Sequence, residues 1–588
     1  MAAKSTVKSS ASPAALGFAA PLPAPAAGAA SQVPSLEKLD GALSELKALA
    51  VAPMLRRAVD ALHREDAQAG SEWALKALNQ DPESGMAWYT LAVAREKAGD
   101  FESSMKAYQS ALALLPDQSE VANDLGRLAY RMGMKDIAEQ LFRRYLASHP
   151  DAYATMANLA SAVRDQGRSA EAIEILRTAI RACPSDASLW NALGAILAQQ
   201  GDQDTAIIFY DEALRLQPDY PHARYNRGNA FLEKREFDTA LADCEAALAI
   251  AMAEDDKLMM QLARSTIKIG LGRIGEGWDD YEARLAPLFS GSTTFLFDRP
   301  RWTPETDVAG RSLLVVGEQG LGDEVLFANL LPDLVADLGP KGKLTLALEP
   351  RLVSLFQRSF PDAEVVPHLT LRQNGRDHRL APELGDLARF DLWTPMGSLL
   401  RRYRRRLEDF PKRERFLTPD AKRVEHWRAE LAKAPAGRKV GILWKSMKVD
   451  SSRARYFSPF ELWASVLKTP GVSFVNMQYG DCEAEIAWAK EALGVEIWTP
   501  PGIDLKNDLD DIGALACALD LTMGFANATS NIAAACGAAA WIVSAPGAWT
   551  LLGADRMPWY PQVRVFIPPG FNRWEETMAG VAEALAKG

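Results

Sequence analysis

The chain is poor in the residues that build metal sites and disulfide scaffolds. Its five cysteines (Cys183, Cys244, Cys482, Cys517 and Cys536) show no CxxC spacing, and four sit among apolar neighbours. This excludes a disulfide framework and points to reduced, buried thiols. Six histidines form no HxxxH pair, so no zinc signature is left. Both features fit the cytoplasm. Positive charge is in deficit as well: 66 Lys and Arg against 76 Asp and Glu leave a net charge of -10, which argues against general nucleic-acid binding. The one local exception is the cluster Arg401, Arg402, Arg404, Arg405, Arg406, Lys412, Arg413 and Arg415, which reads as a solvated helix and loop. Long apolar runs are also missing. Residues 521–554 carry no charge, but glycines, Pro546 and asparagines break them up, giving strand–helix–strand and no membrane span. Residues 1–35 are rich in Ala, Pro and Ser and bury too little apolar surface to order themselves. Lys4 and Lys8 followed by small residues imitate a secretory signal only weakly, because the prolines and the scarcity of leucine spoil an h-region.

What is abundant is repetition. Pro82, Pro116, Pro150, Pro184 and Pro218 recur every 34 residues. Leu91, Leu125, Leu159 and Leu193 share one phase of this repeat, and Gly99, Gly133, Gly167 and Gly201 mark a turn. Ala138, Ala172, Ala206 and Ala240, with Tyr108, Phe142, Leu176 and Tyr210, fill a second helix. This is the tetratricopeptide (TPR) pattern. About six repeats are expected over 51–252 and a weaker helical pair to 288, the array as a whole taking 36–288. Stacked repeats make a superhelix whose concave face binds peptide or protein segments. Asn123, Asn158, Asn191 and Asn226 fall at the fifth or sixth position of successive first helices. An amide there can donate to and accept from an extended guest backbone; equally, these side chains can satisfy neighbouring helix ends.

A joint at 289–310 leads to a different architecture. Apolar runs at 313–317, 344–348, 363–367 and 390–395 alternate with helical patterns, and a second series follows at 440–444, 472–479, 519–525, 539–543 and 563–567. Two such series predict two Rossmann-like units, 311–437 and 438–588, with ligands at the carboxyl ends of the strands. Trp278, Tyr281 and Trp302 are expected to anchor array to α/β region. The stretch VVGEQGLGDEVLFA (315–328) reads as strand, glycine loop and helix start. Gly320 and Gly322 let another molecule approach the backbone closely, beside the free N–H groups of a helix's first turn.

EGWDDYEAR, PRW, GEQGLGDEVLFA, VGILW and PWYP together resemble bacterial TPR proteins that carry a C-terminal GT-B glycosyltransferase domain related to the heptosyltransferases. NATSNIAAACG (527–537) and GAWTLLG (547–553) look closest to the flagellin glycosyltransferases of stalked alphaproteobacteria, the FlmG type. The resemblance implies an α-solenoid of TPR repeats followed by a GT-B pair of Rossmann domains. It also implies that the array captures flagellin and that the GT-B domain transfers a nonulosonic acid, pseudaminic acid, to Ser or Thr hydroxyls. No cofactor is implied beyond the nucleotide-sugar donor, and no metal.

Transfer needs a base for the acceptor hydroxyl, stabilisation of the leaving nucleotide and a dry cleft. Asp323 matches the position of the heptosyltransferase catalytic aspartate and is the expected base, with Glu324 the alternative and plain helix capping the competing role. For the donor phosphates the candidates are Lys445, Ser446, Asn527, Thr529, Ser530 and Asn531, the last four opening a helix at 528–536. Arg453 and Arg455 are weaker candidates for phosphate or carboxylate, with Lys448 beside them. Trp444, Trp549 and Tyr560 can stack on a base or simply pack. Asp508 and Asp510 form a DxD, read as helix capping. Related families carry an aspartate where this chain has Ala526, and that lost negative charge favours a donor with its own carboxylate, such as a CMP-linked nonulosonic acid. Two other readings stand beside this one: a non-catalytic TPR adaptor or flagellar assembly factor with a degenerate GT-B domain, and a hexosamine or heptose transferase.

Overall fold

The structure is a computed structural model that describes residues 34–250, 252–373, 376–446 and 454–588, with side chains from residue 46 onward. The expected N-terminal tail up to residue 33, Lys448 and Arg453 lie outside the described residues.

The 34-residue repeat folds as an antiparallel helical solenoid. Six helix pairs run from Pro34–His63 to Phe237–Leu248, and a seventh pair, Glu254–Gly270 and Ile274–Tyr281, follows. Each repeat proline directly follows the residue that caps a second helix (Asp81, Leu115, His149, Cys183 and Gln217), where the chain must stop being helical. The turn glycines Gly99, Gly133, Gly167 and Gly201 all have φ between +75° and +88°, and Glu65 and Arg235 take the same left-handed position in the outer repeats. Ala138, Ala172, Ala206, Ala240, Phe142 and Leu176 are fully buried. Trp88 and Trp190 donate from Nε1 to the carbonyls of Pro82 and Pro184, each at 2.8 Å. One repeat later Arg224 does the same to Pro218, at 2.9 Å.

The second half holds two parallel sheets and a small mixed one. In chain order the strands are β1 (Thr294–Phe295), β2 (Ser312–Val316), β3 (Lys343–Leu348), β4 (Glu364–Pro367), β5 (Leu369–Gln373), β6 (Arg376–Leu380) and β7 (Leu392–Pro395). They continue with β8 (Arg438–Leu443), β9 (Val472–Asn476), β10 (Ile497–Trp498), β11 (Leu521–Phe525), β12 (Ala540–Val543) and β13 (Arg564–Phe566). The first sheet has the order β4-β3-β2-β7, the second β10-β9-β8-β11-β12-β13, and every pairing in both is parallel. Their continuous burial explains why these strands read as unbroken apolar runs. The third sheet, β1-β6-β5, was not expected. β5 is exposed, and β6 is polar and half-buried, so no continuous apolar run marks them.

The joint is packed. Trp278 is buried, donates from Nε1 to the Arg404 carbonyl at 2.7 Å, and meets Trp549 and Trp559 edge-on. One apolar cluster extends from Ile269 and Trp278 through Val315 and Leu346 to Ile532 and Trp559. The basic cluster is a solvated face only in part: Arg406, Lys412 and Arg415 are exposed, while the others are paired. Arg401 and Arg405 pair with Asp279 at the end of the array, Arg402 with Asp337, and Arg404 and Arg413 with Asp333. Among the described residues no helix is long and apolar enough to cross a membrane.

Candidate functional site

The glycine loop leaves the carboxyl end of β2 and enters the helix Leu321–Phe327. Its left-handed residue is Gln319, at φ +60°, a non-glycine strain of the kind that clusters at functional sites. Glu318, just before it, is buried against Arg284. Its carboxylate accepts from Arg284 Nε and Nη2, at 2.9 and 2.7 Å, and from the Gly397 N–H at 2.6 Å. The loop is thus held by the EAR segment of the joint, a link between two motifs that sequence spacing alone does not display.

Asp323 accepts the Gly320 N–H through Oδ2 at 3.1 Å, so it does cap its own helix. Burial pushes its carboxyl up to about 6; the Gly320 N–H works against that, and the charges of Glu318 and Glu324 add to it. A carboxylate that titrates there is still ionised near neutrality and basic enough to take a hydroxyl proton. Glu324 is differently placed from the role of alternative base. It is buried, accepts the Glu349 N–H at 2.9 Å, and lies 2.9 Å from His368 Nε2. Arg379, which donates to the Gly317 carbonyl at 2.6 Å, closes this cluster. Glu324 is therefore a support beneath the loop. Arg284, Glu318, His368 and Arg379 went unnoticed in the sequence because their partners are distant in the chain.

The loop of the first sheet meets the helix that follows β11 in the second. Asn531 donates from Nδ2 to the Gly322 carbonyl at 3.0 Å, and a Cβ on Gly322 would lie 3.5 Å from the Ala528 backbone. Gly322 thus faces the other α/β unit, at a distance that would also admit a Cβ. Asn527 caps the helix Ala528–Ala535 by accepting the Ser530 N–H at 3.0 Å, while its Nδ2 is buried with no hydrogen-bond partner. Beside it lies a pocket of about 300 Å³ at the carboxyl ends of β8, β11 and β12. Ser446, Tyr456, Phe457, Phe525, Ala526 and Asn527 line it, with Ser544 and Ala545, and none of these residues is charged. Ala526 is exposed at this wall.

Several expected donor contacts are committed elsewhere. Thr529 and Ser530 are buried, and Ser530 Oγ donates to the Phe525 carbonyl at 2.7 Å. Lys445 pairs with Glu485. Arg455 is not directed at a ligand: it grips Glu233 of the array, at 2.9 and 2.7 Å. Trp444 and Tyr560 are buried, Tyr560 stacked on Phe416, and Trp549 packs on Trp278 and Trp559. Asp508 caps the helix Leu509–Ala518 and pairs with Arg423, while Asp510 is buried against Arg358 and Ser354.

On the array, Asn158, Asn191 and Asn226 line one hollow of about 300 Å³ together with Arg164 and Tyr220. Asn226 donates to Asn191 at 2.9 Å. Asn123 stands apart from them and accepts the Thr155 hydroxyl at 3.0 Å.

Comparison with known proteins bears on the array and on the family of the chain. The tetratricopeptide repeat family matches residues 54–119, 123–187, 158–221 and 210–255. Protein FlbA of Caulobacter vibrioides is 50% identical over 562 residues, 96% of this chain and 94% of that protein. Cellulose synthase operon protein C of Escherichia coli is 29% identical over 165 residues, 28% of this chain and 13% of that protein. Among solved structures, a tetratricopeptide repeat protein from Parabacteroides merdae aligns at a TM-score of 0.34 and 12% identity, covering 40% of this chain and 92% of that one.

Proposed function

The chain belongs to the family of Protein FlbA of Caulobacter, and from that starting point we propose that it is a protein O-glycosyltransferase of GT-B type. Its array captures an acceptor protein, flagellin in the reading that the sequence resemblance favours. Its two α/β units transfer a nonulosonic acid from a CMP-linked donor to Ser or Thr hydroxyls. One observation carries this reading. The loop bearing Asp323, a carboxyl titrating at about 6, is bonded to the start of the helix whose cap, Asn527, lines a pocket at the mouth of the second sheet with no charged side chain among its described lining residues.

In the proposed step the acceptor Oγ–H gives its proton to Asp323 as Oγ bonds to the anomeric carbon. The bond from that carbon to the donor phosphate oxygen breaks, and the nucleotide leaves with the electron pair. Asn527 Nδ2 and Ser446 supply hydrogen bonds to the departing group, in surroundings where few waters compete. Ala526 leaves room, and no opposing charge, for a sugar carboxylate. The array supplies proximity, which converts a bimolecular encounter into a tethered one.

A second reading, a binding adaptor without transferase activity, draws on the internal engagement of Lys445, Thr529 and Ser530. Intact-mass analysis of flagellin from cells carrying the wild-type protein or Asp323→Asn separates the two. The transferase reading expects flagellin to lose its sugar mass in the variant, and unchanged mass removes it.

A further inference from the structure

Two turns of the array, at 198–201 and 232–235, rest on the second α/β unit beside the pocket wall. Arg455 donates from both Nη atoms to the Glu233 carboxylate and from Nη1 to the Ala198 carbonyl at 2.8 Å. Its guanidinium lies 4.6 Å from the Phe571 ring centroid, and Nη2 reaches the Tyr456 hydroxyl at 3.1 Å. The pair is largely out of water, with the two side chains 15% and 19% exposed. The next two residues, Tyr456 and Phe457, are pocket walls. On the opposite wall, Ala545 and Ala548 flank Gly547, where a Cβ would lie 2.6 Å from the Leu232 carbonyl. That approach leaves no room for a side chain, and Leu232 is one residue from Glu233. A third contact, Asn572 Nδ2 to the Gln200 carbonyl at 2.8 Å, fixes the neighbouring turn.

We propose that Glu233 and Arg455 are positioning residues for the donor pocket: the array turn carrying Leu232 and Glu233 braces both walls, so the acceptor-binding arm also sets donor affinity. This rests on the reading of the pocket as the nucleotide-sugar site. The physical basis is the cost of a buried charge without its partner. Arg455 has Glu233 as its bidentate partner, so losing that carboxylate drives the guanidinium toward water and moves Tyr456 and Phe457 with it. The array acts on the pocket through backbone displacement, with no array side chain touching the donor.

The test uses full-length protein and isothermal titration with CMP, CDP, UDP and ADP as probes. For whichever nucleotide the wild type binds, Glu233→Gln and Arg455→Met are expected to weaken affinity by about tenfold, and the exchange Glu233→Arg with Arg455→Glu to recover part of it. In turnover the donor KM should rise while the acceptor KM holds. Asn572→Ala, which strands no charge, should fold normally and weaken the nucleotide two- to threefold. Nucleotide affinity unchanged in folded Glu233→Gln or Asn572→Ala overturns the inference. A wild type that binds none of the four nucleotides overturns the donor reading itself.

Discussion

Asn531 and Gly322 stand 209 residues apart in the chain, yet the side-chain amide of one donates to the carbonyl of the other at 3.0 Å. The bond fastens the glycine loop of the first sheet to the helix that follows β11 in the second, so one hydrogen bond links the candidate base's loop to the helix whose cap lines the candidate donor pocket. Asn531→Ala should cost about 1 kcal/mol of stability and lower transfer by more than it lowers the melting temperature. Melting curves and initial rates taken side by side check this; rates that fall only in step with stability count against it.

Asp323 gives a pH prediction. Its folded carboxyl titrates near 6 against an ordinary 3.8, so the charged form is disfavoured in the native protein. Its favourable contribution is complete below pH 3.8 and is lost as pH rises through 6. Asp323→Asn should therefore match the wild type in stability at pH 4 and exceed it by roughly 2–3 kcal/mol at pH 8, while transfer is abolished. The wild-type kcat/KM should fall on an acid limb near pH 6. Denaturant titrations at both pH values and a pH–rate profile test the two halves.

Arg284 and Glu318 are a buried pair beneath the loop, 4% and 3% exposed at their side chains. Arg284→Met leaves the carboxylate without its partner and should destabilise by about 3–5 kcal/mol. Adding Glu318→Gln should recover much of that loss. A double-mutant cycle by denaturant unfolding measures the coupling, and additive losses would show that the pair acts as two independent residues.

Ala526→Asp restores a carboxylate at the pocket wall. At about 4 Å and an effective dielectric near 20, like charges repel by roughly 4 kcal/mol. The donor KM should rise by at least about tenfold for a carboxylated sugar and far less for a neutral one. Equal effects on both donor classes would remove the charge argument.

The array was legible because each repeat obeys the same local constraints: a proline after the cap, a left-handed turn, a small residue at the helix crossing. Even its exceptions, Glu65 and Arg235, keep the 34-residue spacing. The parallel strands other than the two-residue β10 were legible because burial on both faces makes them continuous apolar runs. The hairpin of β5 and β6 had no such mark, because β5 is exposed and β6 is mostly polar. The site was legible in outline but not in its division of labour. The heptosyltransferase resemblance of the glycine loop pointed to Asp323, and the helix start to Asn527 and Asn531. Two of the charged candidates, Lys445 and Arg455, have partners that a lone Lys or Arg in sequence does not reveal. Lys445 is taken by Glu485 and Arg455 by Glu233, across separations that local pattern cannot span.

The central claim is glycosyl transfer to a captured protein, and its most direct measurement is the intact mass of purified flagellin. Flagellin is incubated with purified wild-type protein and CMP-pseudaminic acid, UDP-N-acetylglucosamine or ADP-heptose in turn. The account predicts a mass increase of whole nonulosonic acid residues with the CMP-sugar alone, and none with Asp323→Asn. Flagellin that binds the array yet keeps its mass with every donor would contradict it and leave the adaptor reading in its place.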